Sequence, residues 1–445
     1  MKKVLILGAG MVVKPIVQHL LQKYSVTVAT RTKSKAESMI DNHRNGVAVA
    51  WTIEDQTTLE KMIVEHDITV SLLPYAHHVM VAKICIRNKK NMVTTSYVSP
   101  NMQALDQEAK DAGILILNEL GLDPGIDHMS AMRIIDNVHG KGGKIEEFYS
   151  LCGAIPSPET AYQNLFGYKF SWSPKGVVMA GNNDGKYLKK GVETYVPTQD
   201  LFKNPMRFDF PEVGMLEIYP NRDSLPYINL YGIPETKTMF RGTFRHPHWC
   251  TITDNMKKLG LIGYDKIDLT GKSYADFLAM QIGASDSANI NQKVAEYLGL
   301  DVDAIEIRAM EWLGLFSTAP MNRTEESPYE IISDLMIEKM MIGREERDMV
   351  VMQHIFLVSW SDGRREVVRS RMLDFGTQVT DTAIARTVAL PAAIGVEMIL
   401  EDKIHAKGVH IPVIPEVYNP ILDALEYLDI RMIEEYGIPA NEIFQ

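Results

Sequence analysis

The first part of this chain, about 120 residues, alternates short apolar runs with amphipathic segments, and this alternation restricts the fold more than any other feature. Val4-Leu5-Ile6-Leu7 is an apolar run that ends at Gly8, as a buried parallel strand would. Apolar residues then recur at helical spacing from Val13 to Leu21. Further strands are predicted at Val26–Thr30, Val47–Ala50, Ile68–Leu73, Met92–Thr95 and Ile114–Leu117, with helical patterns around Leu59–Val64, Val79–Ile86 and Met102–Ala112. Strands and helices that alternate at this pace predict an α/β fold with right-handed βαβ units and a Rossmann-type doubly wound sheet.

The pattern changes after Gly125, and this change sets the expected domain organisation. We predict a Rossmann-type domain over 1–125, a mixed α/β domain over 126–253 and 348–400, a small helical insertion domain over 254–347, and a C-terminal segment, 401–445, that returns to the Rossmann domain. Asp362-Gly363 lies between two strand-like runs and predicts a hairpin. A last long helix is expected over Thr382–Leu400.

Charge and cysteine usage exclude several classes of protein. The net charge of −11 disfavours general binding to nucleic acid or to an anionic membrane, because both need a basic surface. Three cysteines lie far apart without a C-x-x-C pair, which fits a reducing compartment. The apolar start lacks an A-x-A cleavage site and is interrupted by Gly8 and Gly10, so a buried strand is favoured over a signal peptide. We expect a cytoplasmic protein without a membrane span.

Gly8-Ala9-Gly10 stands between the first strand and the first helix. Glycine there lets the backbone turn tightly and approach a pyrophosphate at the helix N-terminus. The third glycine of G-x-G-x-x-G is replaced by Val13. A glycine turn without a ligand is therefore the alternative, and the strand before and the helix after favour a dinucleotide.

The end of the second strand reads Thr30-Arg31-Thr32. An NAD enzyme usually has an acidic residue here, which binds the ribose 2′-hydroxyl. A guanidinium suits a 2′-phosphate instead, so NADP(H) is predicted as the preferred cofactor, with NAD(H) as the second choice. The alternative is a solvated basic turn.

Longer motifs occur in one order along nearly the whole chain, and together they resemble the glutamate-forming saccharopine dehydrogenases, also called saccharopine reductases. These motifs are Ser71–Tyr75, Val93–Tyr97, Asn118–His128, Gly167–Ser173, Tyr219–Ser224, Arg241–Arg245, Trp312–Leu315 and Glu346–Val350. The resemblance implies a homodimer whose mixed domain binds substrate and forms the dimer. It also implies an oxidoreductase of lysine metabolism that interconverts saccharopine, NAD(P)⁺ and water with L-glutamate, 2-aminoadipate 6-semialdehyde and NAD(P)H.

The resemblance also implies roles for individual residues. Asp123, Tyr97 and Cys152 are the catalytic candidates. The cofactor candidates are Gly8, Gly10, Met11, Val12, Thr30, Arg31, Thr32, Leu73, Pro74, Thr95, Ser96, Leu122, Asp123, Pro124 and Trp172. The substrate candidates are Ser96, Tyr97, Asp123, Arg222, Thr243, Phe244 and Arg245. The motifs leave open which group transfers protons.

Each assignment has a purely structural alternative. Saccharopine carries three carboxylates, which need forked, permanently charged donors, but Arg222 and Arg245 could instead form structural ion pairs. Asp123 could cap a helix, with Pro124 in its first turn. Cys152 could be a small buried side chain.

Other sites and other functions are disfavoured. His246-Pro247-His248 has no nearby carboxylate or thiolate, so no metal site is expected. A carboxynorspermidine-type dehydrogenase of polyamine synthesis is one rival function, and a non-catalytic nucleotide-binding regulator is another. The joint presence of Asp123, Arg222 and Arg245 argues against the regulator.

Overall fold

A computed structural model describes residues 1–444 and divides the chain into two compact units. The first unit comprises Met1–Gly143 and Ser370–Glu435. The second comprises Lys144–Arg369 and the residues from Tyr436 onward. Residues 126–143 and 370–400, which the sequence analysis places in the mixed domain, thus belong to the first unit.

The N-terminal part of the first unit alternates strands and helices. Its strands are β1 (Lys3–Leu7), β2 (Ser25–Thr30), β3 (Gly46–Ala50), β4 (Ile68–Ser71), β5 (Asn91–Val93) and β6 (Leu115–Leu117). Its helices are α1 (Lys14–Leu21), α2 (Lys33–Ile40), α3 (Gln56–Glu65), α4 (His78–Arg87), α5 (Pro100–Gln103), α6 (Asp106–Ala112) and α7 (Ile126–Gly140). The central strands are apolar because helices cover both faces of such a sheet, and Val4 to Leu7 are fully buried.

Strands and helices of the second unit are less regular in order. Its strands are β7 (Lys144–Pro156), β8 (Gly185–Lys189), β9 (Val192–Val196), β10 (Met206–Phe210), β11 (Gly214–Pro220), β12 (Thr238–Arg245), β13 (Ile267–Asp268), β14 (Glu325–Glu326) and β15 (Asp348–Ser359). Strand β16 (Arg365–Phe375) begins in this unit and ends in residues of the first unit. Its helices are α8 (Pro158–Ala161), α9 (Pro174–Ala180), α10 (Pro226–Leu230), α11 (Trp249–Lys258), α12 (Tyr274–Gln281), α13 (Ile290–Leu298), α14 (Ile305–Leu313) and α15 (Pro328–Met340).

The chain ends with α16 (Ala383–Leu400), β17 (Gly408–His410), α17 (Pro415–Tyr427) and β18 (Ile433–Pro439). Among the described residues, α16 alone is long and apolar enough to cross a membrane. Its apolar window is 83% buried inside the protein, as expected for a core helix.

The first sheet has the strand order β17-β6-β5-β4-β1-β2-β3, and its paired strands are parallel. The chain runs outward in opposite directions from β1 and β4, which makes their carboxyl ends a topological switch point. The second sheet is mixed, with the order β10-β11-β12-β7-β15-β16-β18; in addition, β8 pairs with β12, and β9 pairs with β8. This architecture confirms the predicted fold class.

Two elements differ from the sequence analysis. The predicted helix over Met102–Ala112 is two helices, since α5 ends at Gln103 and α6 begins at Asp106. The acidic first turn of α6, at Asp106 and Glu108, marks this new start. Helix α17 was not predicted, although its apolar residues recur at helical spacing and Pro415 stands in its first turn.

Candidate active site

The glycine turn after β1 lies at the carboxyl edge of the first sheet. Gly8 has φ +109°, and a Cβ there would lie 2.6 Å from the carbonyl oxygen of Leu72, so this position tolerates no side chain. A Cβ at Gly10 would meet nothing within 4 Å. The turn therefore packs closely against the residue that follows β4, and it leaves open space beside Gly10. Exposed Met11 and half-buried Val12 complete the connection to α1.

Arg31 follows β2 at the same edge and is solvent-exposed. Within residues 1–444 it forms no ion pair, whereas nearby Lys33 is paired with Glu37 at 3.2 Å. Thr30 is half-buried, and Thr32 precedes the first residue of α2. An unpaired guanidinium at the end of the second strand is the arrangement that a ribose 2′-phosphate requires, so these residues fit NADP(H).

The other cofactor candidates of the first unit follow β4, β5 and β6. Leu73 and Pro74 come after β4, with Pro74 exposed, and Thr95 and Ser96 come after β5. Leu122 and Pro124 are buried after β6. Because carboxyl ends of parallel strands meet at one edge, the structure brings these residues to the side of the sheet that carries the glycine turn.

His78 joins the ends of β4 and β5. Its Nδ1 lies 2.9 Å from the hydroxyl of Ser71, and its Nε2 lies 2.8 Å from the hydroxyl of Ser96. Burial lowers the pKa of His78 to about 4, and the adjacent His77 contributes further. The imidazole is therefore neutral at physiological pH and orients Ser96 without introducing a charge.

Tyr97 and Asp123 contact each other directly. The Tyr97 hydroxyl donates a hydrogen bond of 2.8 Å to Oδ1 of Asp123, and both side chains are partly exposed. Asp123 does not cap α7, since Gly125 precedes the first residue of that helix. A phenol bonded to a carboxylate can act as a relay for a proton.

Cys152, Thr243 and Tyr219 lie in one row across three strands of the second unit. Thr243 of β12 is paired in register with Cys152 of β7 on one side and with Tyr219 of β11 on the other. Side chains two residues apart on a strand share a face, so Arg245 lies on the same face as Thr243. The row places a thiol, two hydroxyl groups and a guanidinium together.

Arg245 is almost completely buried, with 3% of its surface exposed. Its guanidinium carbon lies 5.2 Å from the ring centre of Tyr168 and 5.6 Å from those of Tyr219 and Trp249. Nη1 donates to the carbonyl oxygen of Phe244 at 2.8 Å, while Nε has no acceptor among the described residues. No carboxylate of residues 1–444 forms an ion pair with it.

The groups around Arg245 do not balance its charge. Burial raises the pKa of Tyr168 and of Tyr219, so both phenols are neutral at physiological pH. The cross-strand neighbour Glu217 accepts hydrogen bonds from the backbone amides of His248 and Cys250, at the start of α11. Arg245 thus retains a buried positive charge that a carboxylate of a ligand can neutralise.

Three other candidates of the second unit have different surroundings. The ring of Phe244 is fully buried, with ring centres 5.7 Å from Phe208 and 5.8 Å from Phe210. Arg222 is exposed in the turn after β11, with φ +54°. Trp172 is half-buried ahead of α9. All of these assignments stay predictions.

Both halves of the chain match known protein families. Residues 4–117 match the family described as "Saccharopine dehydrogenase NADP binding domain", and residues 121–429 match "Saccharopine dehydrogenase C-terminal domain". The chain belongs to the saccharopine dehydrogenase family. These matches confirm the resemblance inferred from the motifs and the NADP-binding character of the first domain.

Relatives and a solved structure resemble the chain over almost its full length. "Saccharopine dehydrogenase [NADP(+), L-glutamate-forming]" of Schizosaccharomyces pombe is 35% identical over 448 residues, covering 98% of this chain and 99% of that protein. The mitochondrial alpha-aminoadipic semialdehyde synthase of Bos taurus is 35% identical over 434 residues, covering 96% of this chain and 47% of that protein. The apo saccharopine dehydrogenase (L-Glu forming) of Saccharomyces cerevisiae superposes with a TM-score of 0.90 at 34% identity, covering 98% of this chain and 100% of that chain.

The structure adds residues that the sequence analysis left without a role. His78, Glu119 and His128 lie inside or beside those motifs, and the sequence gives no sign of the hydrogen bonds that the structure shows for them. The aromatic rings around Arg245 come from Tyr168, Tyr219 and Trp249, of which the first two stand in quoted motifs. The aromatic residues of those motifs were the one sequence signal that could have indicated a ring-lined environment for Arg245.

Proposed function

We propose that this chain oxidises saccharopine with NADP⁺ and water, releasing L-glutamate, 2-aminoadipate 6-semialdehyde and NADPH. The relatives that match over the full chain carry this activity in their names. The reaction breaks the bond between the secondary amine nitrogen and the carbon that becomes the aldehyde, and water supplies the aldehyde oxygen. It places the protein in lysine metabolism.

The observation that carries the proposal is the buried guanidinium of Arg245. A buried charge without a partner costs several kcal/mol. A substrate carboxylate would bind Arg245 through the two-pronged geometry that only arginine offers, and the three surrounding rings exclude water from that contact. Saccharopine, with three carboxylates, suits such a site.

The cofactor residues of the first unit fit NADP(H), as the open space at Gly10 and the unpaired Arg31 indicate. Arg31 would bind the 2′-phosphate, and the backbone of Gly8–Gly10 would approach the pyrophosphate. The bound nicotinamide supplies hydride transfer, which is the chemistry of the cofactor. The protein contributes binding, orientation and proton transfer.

Tyr97 and Asp123 are suited to the proton transfers of the hydrolytic half of the reaction. Water that attacks the imine carbon loses a proton, and the amine nitrogen gains one before glutamate leaves. The hydrogen bond from the Tyr97 hydroxyl to Asp123 Oδ1 gives a path for one proton between two groups of the same unit. Cys152 is the candidate proton donor or acceptor of the second unit.

The test is an absorbance assay at 340 nm with saccharopine and either NADP⁺ or NAD⁺. We expect NADPH to form, with one glutamate for each NADPH. Detection of lysine and 2-oxoglutarate as the products would overturn the proposal, because the other carbon–nitrogen bond would then have been broken. Carboxynorspermidine with NADP⁺ tests the polyamine alternative in the same assay.

Assembly and location are part of the proposal. We propose that the protein is a homodimer in the cytoplasm, in keeping with the family resemblance. Size-exclusion chromatography with light-scattering detection would report the mass of the particle, and the mass of a monomer would refute the dimer. Fractionation of the producing cells, followed by the same NADP⁺ assay, would locate the activity.

A further inference from the structure

Glu119 holds the backbone on both sides of Tyr97. Its amide donates a hydrogen bond of 3.1 Å to the carbonyl oxygen of Ser96, and its Oε1 accepts one of 2.8 Å from the amide of Val98. The residue is 4% exposed and has φ +59°, a left-handed conformation that costs of order 1–3 kcal/mol outside glycine. Such a conformation persists only where surrounding contacts require it.

Asp127 holds the backbone on both sides of Asp123 in the same way. Its amide donates to the carbonyl oxygen of Leu122 at 3.0 Å, and its Oδ1 accepts from the amide of Gly125 at 2.6 Å. The side chain is fully buried. Both partners of the Tyr97–Asp123 hydrogen bond are thus fixed by a buried carboxylate on a neighbouring residue.

His128 joins the two carboxylates. Its Nε2 lies 2.7 Å from Oε2 of Glu119, and its Nδ1 lies 3.8 Å from Oδ2 of Asp127. The imidazole is fully buried on the first turn of α7. Removing one member of such a buried group is costly, because the remaining charges lose their partner.

We propose that Glu119, Asp127 and His128 form a carboxylate clamp, a set of positioning residues that holds Tyr97 and Asp123 at hydrogen-bond distance. The proposal rests on the proposed function, in which Tyr97 and Asp123 transfer protons. The clamp acts through those two residues and does not itself contact substrate. A loss of alignment of about 1 Å at such a site lowers a rate by about 10²-fold.

The test is a double-mutant cycle with Glu119→Ala and Tyr97→Phe. Glu119→Ala should lower kcat about 10²-fold in the wild-type background. In the Tyr97→Phe background the same substitution should lower kcat by no more than about twofold, which is the scatter expected in such a cycle. The proposal would be overturned if the loss of kcat in the double variant equalled the product of the losses in the two single variants. It would also be overturned if Tyr97→Phe kept full kcat.

Milder and matched variants separate positioning from folding. Glu119→Gln keeps an acceptor for the Val98 amide and should recover at least about tenfold of the kcat lost in Glu119→Ala. His128→Gln should lower kcat, whereas His66→Gln should change only thermal stability. His66 is a matched control because it is buried in the same unit, with hydrogen bonds to the Met62 carbonyl at 2.6 Å and the Thr27 hydroxyl at 2.8 Å. Equal kcat losses in both histidine variants would also overturn the proposal.

Hydrogen exchange provides a readout that needs no activity. In Glu119→Ala, amide protection should fall in the segment that contains Val98, because the acceptor of that amide is lost. Glu119→Gln should keep most of this protection, and the segment that contains His66 should be unchanged in both variants. If the wild-type enzyme fails to release glutamate from saccharopine but this exchange pattern appears, the proposed function fails and the clamp stands as a structural device. If glutamate is released and protection is unchanged, the clamp fails alone.

Discussion

The candidate site residues of the two units are stabilised in different ways. In the first unit the polar side chains satisfy one another: Tyr97 donates to Asp123, and His78 contacts the hydroxyls of Ser71 and Ser96. In the second unit, Arg245 is surrounded by aromatic rings and has no carboxylate partner among the described residues.

This difference indicates a division of labour. Groups that must transfer protons or orient a cofactor gain from being aligned before the ligand arrives, because no reorganisation is then needed. A group that binds a charged ligand gains from being buried without a partner, because the ligand then supplies the missing charge. Tyr97, Asp123 and His78 of the first unit are aligned before a ligand binds, whereas Arg245 of the second unit is buried without a carboxylate partner among the described residues.

The largest expected effect tests the unpaired charge. Arg245→Ala should cost about 2–5 kcal/mol in kcat/KM for saccharopine, which is the loss typical when one partner of a buried charge pair is removed. Arg245→Lys should recover only part, because an ammonium lacks the two-pronged geometry. Steady-state kinetics on both variants would check this prediction.

A second measurement on the same residue excludes a purely structural role. Arg245→Met keeps an unbranched stem of similar length and removes the charge. Because that charge has no carboxylate partner among residues 1–444, Arg245→Met should not lower the thermal midpoint of unfolding. A large loss of stability with unchanged kinetics would contradict the comparison between the units.

Arg31 is the exposed cation of the first unit, and its effect should be specific for the cofactor. Arg31→Ala should raise the KM for NADPH by about 10- to 150-fold, the equivalent of a charged hydrogen bond of about 1.5–3 kcal/mol. The KM for NADH should stay nearly constant. Lys33→Ala is the matched control, because Lys33 is already paired with Glu37. Equal effects on the two cofactors would show that Arg31 does not contact the 2′-phosphate.

His78 predicts a pH dependence of stability. The folded protein keeps this imidazole neutral down to about pH 4, whereas the unfolded chain binds a proton below about pH 6.5. The contribution is therefore fully present above pH 6.5 and is lost as the pH falls toward 4, amounting to about 2 kcal/mol between pH 7 and pH 5. Urea unfolding of wild type and His78→Gln at both pH values measures it. The same pH dependence in both proteins would refute the prediction.

The smallest effect is expected at Arg222. The sequence analysis treats Arg222 and Arg245 as equivalent, but Arg222 is exposed. Exposed ion pairs contribute up to about 1 kcal/mol, so Arg222→Ala should lower kcat/KM by no more than about fivefold. A loss as large as that of Arg245→Ala would mean that substrate binding buries Arg222. The two variants are compared in the same kinetic assay.

Several features were predictable because they depend on local sequence. The apolar run from Val4 to Leu7, followed by Gly8, specifies a buried strand and a tight turn, and the structure shows both. The Asp362-Gly363 pair specifies the turn between β15 and β16. Arg31 could be placed at the carboxyl end of β2 because the apolar run of that strand gives way to polar and charged residues after Ala29. The family motifs added the reaction and the substrate class.

Other features were not predictable from local pattern. Asp123 has the sequence context of a helix cap, yet its carboxylate accepts from Tyr97, which stands 26 residues earlier. Helix α17 is an exception, because its apolar periodicity is clear in the sequence although no helix is predicted after Leu400. The role of His78 depends on Ser71 and Ser96, which come from two different strands.

By itself the sequence determined the alternation of strands and helices in the first 120 or so residues, the glycine turn, the cofactor class and, through short motifs, the family, because each of these depends on residues that are close in the chain. The tertiary structure alone decided which charges are balanced. Arg245 and Arg222 have the same side chain, and only the strands that pack around Arg245 bury it and turn Glu217 toward α11. Burial and pairing depend on neighbours that are distant in sequence, and these two quantities set the free energy of a charged group in a protein.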